Sequence, residues 1–470
     1  MSTKQLPFIV IFLFIAINIF TLKDGHNWGG DWGQYIIHTK NMLEGKPYAA
    51  GIMLEKPVVY PPGFPLLIAP VLKSLGLNFP LLKSINIACW YLSILLLFFI
   101  LTRYITRSQA LLCAFFLSAS SFFFVFKQNI LSDIPFTLLI IAALWALEFK
   151  LLFPALLFTF TAILTRSAGA TLCVAGIFYF IFIKRNWSFA LGLIVCSIAA
   201  VGLQTFILGE VNPGFWHKFI DQPKDALIHL VQNASTVWQS MAWIFIPGET
   251  PVTSWAFTLF EGLLIIISPL IYLGLIYLFI RKLITKSLTL IETFCFFYTG
   301  LLFIWASNGD SPQNFARYTL PLMAFGLMFI IQSANYFNKA NWAKYFIIGL
   351  LSFNLLNVAL LINFNDDEVV HYPSNHALFT WIKENVRPDE HYMTWEPRTV
   401  AVMTNRVGTS LMWFNVADPT FRQNMMQQWG VRFVILNPVG DKAGVDFLSQ
   451  QPWAKQIYKD NGFYTIFEVK

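Results

Sequence analysis

Charge is what this sequence has least of. Lysine, arginine, aspartate and glutamate make up 12% of its 470 residues, about half the share that a water-soluble chain carries. That shortage excludes an ordinary soluble globule. Cysteine is scarce too: Cys89, Cys113, Cys173, Cys196 and Cys295 are the whole set, and all lie in apolar runs. With none in the long polar segments, there is neither a disulfide framework nor a metal-ligating spacing. His26, His38, His217 and His371 show no metal spacing either. No internal repeat and no low-complexity tract is present. No small-x-small cleavage site follows the first apolar segment, Leu6 to Leu22, so it reads as a retained helix and not a removed signal.

What the chain has in excess is apolar surface. Hydrophobic residues account for 56%, with 48 Phe and 16 Trp. Several apolar runs are long enough to cross a hydrocarbon core of roughly 30 Å, and the aromatic load suits lipid-facing and interfacial positions. The net charge of +7 then marks cytoplasmic loops and not a nucleic-acid partner. Eleven membrane spans are predicted, over 6–22, 84–102, 109–126, 130–148, 151–166, 168–184, 188–208, 253–280, 288–306, 318–335 and 343–362.

Basic residues set the orientation. Lys4, Arg103 with Arg107, Lys150, Lys184 with Arg185, Arg281 with Lys282 and Lys286, and Lys339 with Lys344 fall in every second connection. The amino terminus is therefore predicted to be cytoplasmic and the carboxy terminus outside, in a cell membrane of the bacterial inner-membrane kind. A single helix over 151–184 would break this alternation. Two short arms meeting at Thr165-Arg166-Ser167-Ala168-Gly169 keep it, and place Arg166 near the outer face at headgroup depth, each arm being ~24 Å long.

The fold class expected is an α-helical polytopic membrane protein with a small C-terminal α/β domain. Residues 1–362 form the membrane domain, with a first outer loop at 23–83, and residues 363–470 the extracytoplasmic domain. In the loop, 31–44 reads as an amphipathic helix on the membrane surface, with Tyr35, Ile36, Met42 and Leu43 as its apolar positions. The stretch 63–77 is apolar but short and broken by Pro65 and Pro70, so it reads as interfacial or re-entrant. In the tail, Ser374 to Val386 is helical and His391 to Trp395 a strand. Asp418-Pro419 starts a helix that Gly430 ends, and strands follow at Val431 to Leu436 and Phe463 to Val469.

Candidate chemistry collects at the predicted outer face. Asp31 follows the first span in Trp28-Gly-Gly-Asp-Trp-Gly. It suits an N-cap for a helix starting at Trp32, and a partly desolvated carboxylate there is also a usable general base. Asp133, in Lys127-Gln-Asn-Ile-Leu-Ser-Asp-Ile-Pro-Phe, either caps the next span or faces a polar cavity, since a carboxylate entering a membrane helix is costly. Arg166 and Arg317 carry guanidinium groups suited to a phosphate, or snorkel to lipid headgroups. Lys56 and Lys127 are further cationic candidates. Tyr60-Pro61-Pro62 forces an extended turn.

These residues, in this order and placement, resemble the GT-C superfamily of polytopic glycosyltransferases. The likeness is to the branch of dolichyl-phosphate-mannose protein mannosyltransferases and lipid A aminoarabinose transferases (glycosyltransferase family 39-like). It rests on Asp31 with Tyr35, Glu44-Gly45-Lys46-Pro47-Tyr48, Tyr60-Pro61-Pro62-Gly63-Phe64-Pro65, Leu131-Ser132-Asp133, Leu164-Thr165-Arg166, Ala316-Arg317-Tyr318 and Leu378 to Asn385. The resemblance implies sugar transfer, with inversion, from a polyprenyl-phosphate-linked sugar to a protein, lipid or glycan acceptor on the outer face. It implies Asp31 as general base and Asp133 as the second acidic residue. It implies Arg166, Arg317 and Lys56 at the donor phosphate, with Tyr35, Tyr60 and Lys127 binding substrate. No cofactor is implied, and a divalent cation is left open. Two departures stand out: Trp32 follows Asp31 where the mannosyltransferases carry a second acid, and Tyr60 meets Pro61 directly where the aminoarabinose transferases insert a lysine. A glycolipid transporter or flippase would show paired repeats and broken midplane helices, and a polysaccharide polymerase or ligase a large outer loop between late spans. Neither feature is present.

Overall fold

The computed structural model describes residues 6–54, 59–208, 236–241, 243, 276–305, 312–336, 340–362, 373–411, 424, 426–437, 440–459 and 463–469. In chain order the principal helices are α1 (Leu6–Phe20), α2 (Gly30–Glu44), α3 (Gly63–Leu75), α4 (Phe79–Leu101), α5 (Arg107–Ser118), α6 (Ser121–Phe126), α7 (Asp133–Glu148), α8 (Leu152–Thr165), α9 (Ala170–Phe178) and α10 (Trp187–Leu208), then α11 (Leu290–Trp305), α12 (Pro312–Tyr336), α13 (Ala340–Leu361), α14 (Pro373–Asn385), α15 (Pro397–Thr404) and α16 (Lys442–Ser449). The strands are β1 (His391–Thr394), β2 (Gly408–Ser410), β3 (Val431–Leu436), β4 (Ala454–Lys459) and β5 (Thr465–Val469).

The chain separates into two compact units. One comprises Met1–Leu22, Pro61–Phe64 and Leu81–Phe364; the other comprises Lys23–Tyr60, Pro65–Pro80 and Asn365–Lys470. The sequence divides the chain once, at 362. The structure instead groups most of the first long connection with the C-terminal segment.

In the first unit, α4, the α5–α6 pair, α10 and α13 are each long and apolar enough to cross a membrane, and α12 meets the same test as two segments bent by 50°. Pro321 lies inside α12, where it removes a backbone bond. Helices α1, α8 and α11 and the stretch Ser167–Ile183 are apolar but shorter. The predicted span 253–280 lies almost wholly outside the described residues.

Two interruptions in this unit have local causes. Between α5 and α6, Ser120 caps the second helix by accepting from the Phe123 amide. Asn354 Oδ1 accepts from both the amide and the hydroxyl of Ser121, at 2.9 and 2.8 Å. Backbone groups freed at membrane depth need such partners. After α8 the chain turns at Arg166, whose φ of −151° and ψ of 134° are extended. A short 3-10 turn and α9 follow, so the predicted break between two short arms is where the helix ends. Gly169 permits the return: a Cβ there would lie 2.7 Å from the backbone of Ala162 and Ile163.

The second unit contains a five-stranded sheet in the order β2-β1-β3-β5-β4. Strand β1 is parallel to β2 and β3, whereas β5 is antiparallel to β3 and β4. In β3, Phe433, Val434, Ile435 and Leu436 are all buried, as a strand covered on both faces requires. The core gathers Met393, Val434, Leu436, Leu448 and Phe467. Tyr392 faces Gly408 across the β1–β2 ladder, and no side chain at 408 could coexist with its ring. The predicted helix starting at Asp418 falls largely outside the described residues.

Helices α2 and α3 differ from expectation. Helix α2 is not a surface amphipath: Trp32 through Thr39 are buried, polar residues included. Its polar side chains satisfy one another or nearby backbone, so burial costs little. Helix α3 is not broken by its prolines. Pro65 sits in the first turn, where the missing amide is harmless, and Pro70 is accommodated inside the helix.

Candidate active site

Asp31 stands in the first turn of α2, which starts at Gly30 with Gly29 as its N-cap. The helix thus begins ahead of Asp31, and the carboxylate does not serve as the cap. The helix dipole still favours negative charge there. Tyr60 donates its hydroxyl to Asp31 Oδ1 at 2.7 Å. Burial, and then the Asp31 charge, push the Tyr60 phenol well above its ordinary pKa, so it stays a hydrogen-bond donor.

Tyr60 is itself held. Its ring packs against Tyr35 at 4.9 Å, and its carbonyl accepts from the Tyr48 hydroxyl at 2.9 Å. The Glu44-Gly45-Lys46-Pro47-Tyr48 segment explains why Tyr48 is there. Gly45 takes a left-handed φ of 67° and closes α2. Asn41 then donates to the carbonyls of Tyr48 and Ala50 at 3.0 and 2.7 Å. His38 stacks on the Tyr48 ring at 4.0 Å and shares a 2.9 Å bond between Nδ1 and the Tyr48 carbonyl. The motif is a helix stop that aims Tyr48, and Tyr48 aims Tyr60.

Two residues that sequence reasoning did not single out complete this group. Arg398, in the first turn of α15, brings Nη1 to 3.4 Å from Asp31 Oδ1 and 3.3 Å from Gln34 Oε1. Its Nη2 lies 3.5 Å from Glu396 Oε2. Burial, reinforced by the Asp31 charge and opposed by Arg398, raises the Glu396 pKa above the usual carboxylate value. The side chains of Asp31, Arg398 and Glu396 are 28, 22 and 31% exposed, so all three are partly open at the surface.

The other candidates lie in the membrane unit. Asp133 opens α7 and is buried, and its carboxylate forms an ion pair with Arg166. Arg166 also stands over the Tyr318 ring, 4.7 Å from its centroid. Arg317 stands over the same ring at 4.9 Å and donates to the Tyr318 hydroxyl at 2.8 Å. Tyr298 donates to the Tyr318 carbonyl at 2.9 Å. Arg166, from the α8–α9 turn, and Arg317, from α12, thus share one aromatic ring, and Asp133 on α7 joins them through its pair with Arg166.

Lys127 is fully buried. Its ammonium donates to the Asn18 carbonyl at 3.1 Å and to the Thr21 hydroxyl, and stands over the Phe124 ring at 3.9 Å. These bonds tie the end of α1 to α6. Lys56 lies outside the described residues. Among the described residues no three His, Cys, Asp or Glu side chains converge as a metal ion needs.

No family model matches the chain, and no curated protein does. Solved structures do. The chain is similar to ArnT from Cupriavidus metallidurans bound to undecaprenyl phosphate, with a TM-score of 0.52 at 13% identity, over 99% of this chain and 98% of that one. It is similar to the oligosaccharyltransferase AglB from Archaeoglobus fulgidus in complex with an inhibitory peptide and a dolichol-phosphate, with a TM-score of 0.59 at 12% identity, over 98% and 74% of the two chains. It is also similar to the A. fulgidus oligosaccharyltransferase tethered to an acceptor peptide, with a TM-score of 0.54 at 11% identity, over 93% and 69%. At such identities the likeness is one of fold. The chain shares the fold of these structures, and among its described residues are several helices long and apolar enough to cross a membrane.

Proposed function

We propose that this chain is an integral membrane glycosyltransferase. It moves a sugar from a polyprenyl phosphate to an acceptor hydroxyl or amine on the extracytoplasmic side, with the amino terminus in the cytoplasm. The observation that carries the reading is the Asp31 group: a carboxylate at a helix start, hydrogen-bonded by Tyr60, on a GT-C fold whose relatives include structures holding undecaprenyl phosphate and dolichol-phosphate.

Each residue has a chemical task in this reading. Asp31 takes the proton from the acceptor as its oxygen or nitrogen attacks the anomeric carbon. The bond from that carbon to the phosphate oxygen breaks, its electron pair leaves with the polyprenyl phosphate, and the anomeric configuration inverts. Tyr60 fixes the carboxylate through its bond to Oδ1. Tyr35 backs Tyr60. Arg166 and Arg317, over the Tyr318 ring, neutralise charge on the departing phosphate, where a water-poor site makes each cation count for more. Asp133 holds Arg166 in place and is the second acidic residue.

The test incubates purified protein with a panel of polyprenyl-phosphate sugars and follows release of free lipid phosphate. Release from at least one donor is expected, and silence across hexosyl and pentosyl donors would sink the reading. Labelling of single cysteines from outside intact cells is expected to reach position 375 and not 282; the reverse pattern refutes the orientation.

A further inference from the structure

Arg398 and Glu396 stand against the proposed base with no part assigned to them in that reaction. We infer that Arg398 is a positioning residue for Asp31, and that Glu396 governs how much of the Arg398 charge Asp31 receives. The inference rests on the glycosyltransferase reading above for its link to turnover, but not for the coupling itself.

The arrangement is built into the backbone. A Cβ at Gly33 would come within 2.9 Å of the Arg398 carbonyl oxygen, and one at Gly30 would run into the Arg398 guanidinium and the Glu396 carboxylate. The two glycines lie three apart, on one face of α2, and admit the start of α15 to close approach. Thr399 ties that start down by donating its hydroxyl to the Trp28 carbonyl at 3.2 Å. Pro397 occupies the first helical turn, and Glu396 is its N-cap residue, so φ there is pre-set. The Arg398 fork is thereby held in register with the first turn of α2.

A guanidinium fork offers two directions at once. Here one nitrogen faces Asp31 and Gln34, and the other faces Glu396, at 3.3 to 3.5 Å. Positive charge beside Asp31 favours its ionised form and fixes its orientation. Glu396 competes for the same cation. Of the other titratable groups, Tyr60 donates to Asp31 and Tyr35 packs behind Tyr60. Tyr60 stays protonated, whereas Arg398 and Glu396 bring charge to Asp31.

The experiment reads the Asp31 ionisation in two ways. One is the acid limb of the kcat/KM profile. The other is the pH midpoint for modification of Asp31 by a water-soluble carbodiimide, which takes up the carboxyl proton on nitrogen and is attacked at carbon by the carboxylate oxygen, followed by mass spectrometry on the full-length protein. Arg398→Gln should lower kcat/KM at least tenfold and move both midpoints up by about one pH unit. Arg398→Lys should bring the midpoints back towards the wild type while kcat/KM stays low, since lysine keeps the charge and loses the fork. Glu396→Gln should move the midpoints down. Arg398→Met, which keeps the aliphatic stem against α2, must behave as Arg398→Gln and serves if the glutamine variant does not fold. Wild-type midpoints in the charge-removing variants, or an unmoved or raised midpoint in Glu396→Gln, overturn the inference. If lipid phosphate is released yet the midpoints stay put, this inference falls and the enzyme reading stands. If the midpoints move and no donor is consumed, the coupling stands and the enzyme reading falls.

Discussion

The phenol of Tyr60 points its proton at Asp31 Oδ1 from 2.7 Å, across 29 residues of chain. A charge-assisted bond of this kind is worth about 1.5–3 kcal/mol. It holds the carboxylate in place. Tyr60→Phe should therefore lower kcat/KM by about tenfold, the equivalent of ~1.4 kcal/mol, with no loss of folded protein. Wild-type turnover in Tyr60→Phe would show that the bond is ornamental.

The Asp133–Arg166 pair predicts a non-additive pattern of stability. Asp133 is 2% exposed and Arg166 13%. Removing one partner strands the other's charge in a poorly hydrated site, at a cost of about 3–5 kcal/mol. Asp133→Asn and Arg166→Gln should each unfold well below the wild type in detergent, while the double variant should recover most of the loss. Simple summation of the two losses in the double variant would refute the pairing. In the double variant, weakened donor binding on a stable protein would separate the phosphate role from the structural one.

His38 makes stability depend on pH. Burial holds its pKa down at about 4, against an ordinary 6.5, despite the bond to the Tyr48 carbonyl. Its Nδ1–H serves that carbonyl, leaving Nε2 to accept from Gln34 at 3.2 Å. The folded value lies below the unfolded one, so the unfolded chain takes up the proton first. The stabilisation is complete above pH 6.5 and drains away as pH falls towards 4, a loss of ~3 kcal/mol. Between pH 7 and 4.5 the wild-type Tm should drop several degrees further than that of His38→Gln. Parallel curves for the two proteins would contradict the assignment.

What could be read in advance follows from how local each signal is. The helices of the membrane unit were legible because an apolar run of the right length states its own environment. The break at Arg166 was legible because charge on alternate connections demanded it. Strands β1, β3 and β5 were legible from β-branched and aromatic runs. The eight-residue α15 and three-residue β2 were not, being too short to carry a period. Nor was the burial of α2, whose polar residues suggested a wet face but bond to each other and to the Tyr48–Ala50 backbone. The Arg398–Asp31 pair spans 367 residues, and no local pattern encodes such a partner. The one available hint was Gly30 and Gly33, a pair of glycines at helical spacing beside a candidate base, which marks a face where another backbone comes close.

In the proposed reaction Asp31 is the base of sugar transfer. Its most direct test is the release of free polyprenyl phosphate by wild type and by Asp31→Asn, on the donor that the wild type turns over best. Asparagine keeps the shape and can still accept from Tyr60, but it cannot take a proton. Release should fall by at least about a hundredfold while the Tm stays near that of the wild type. Release at the wild-type rate from folded Asp31→Asn would contradict it.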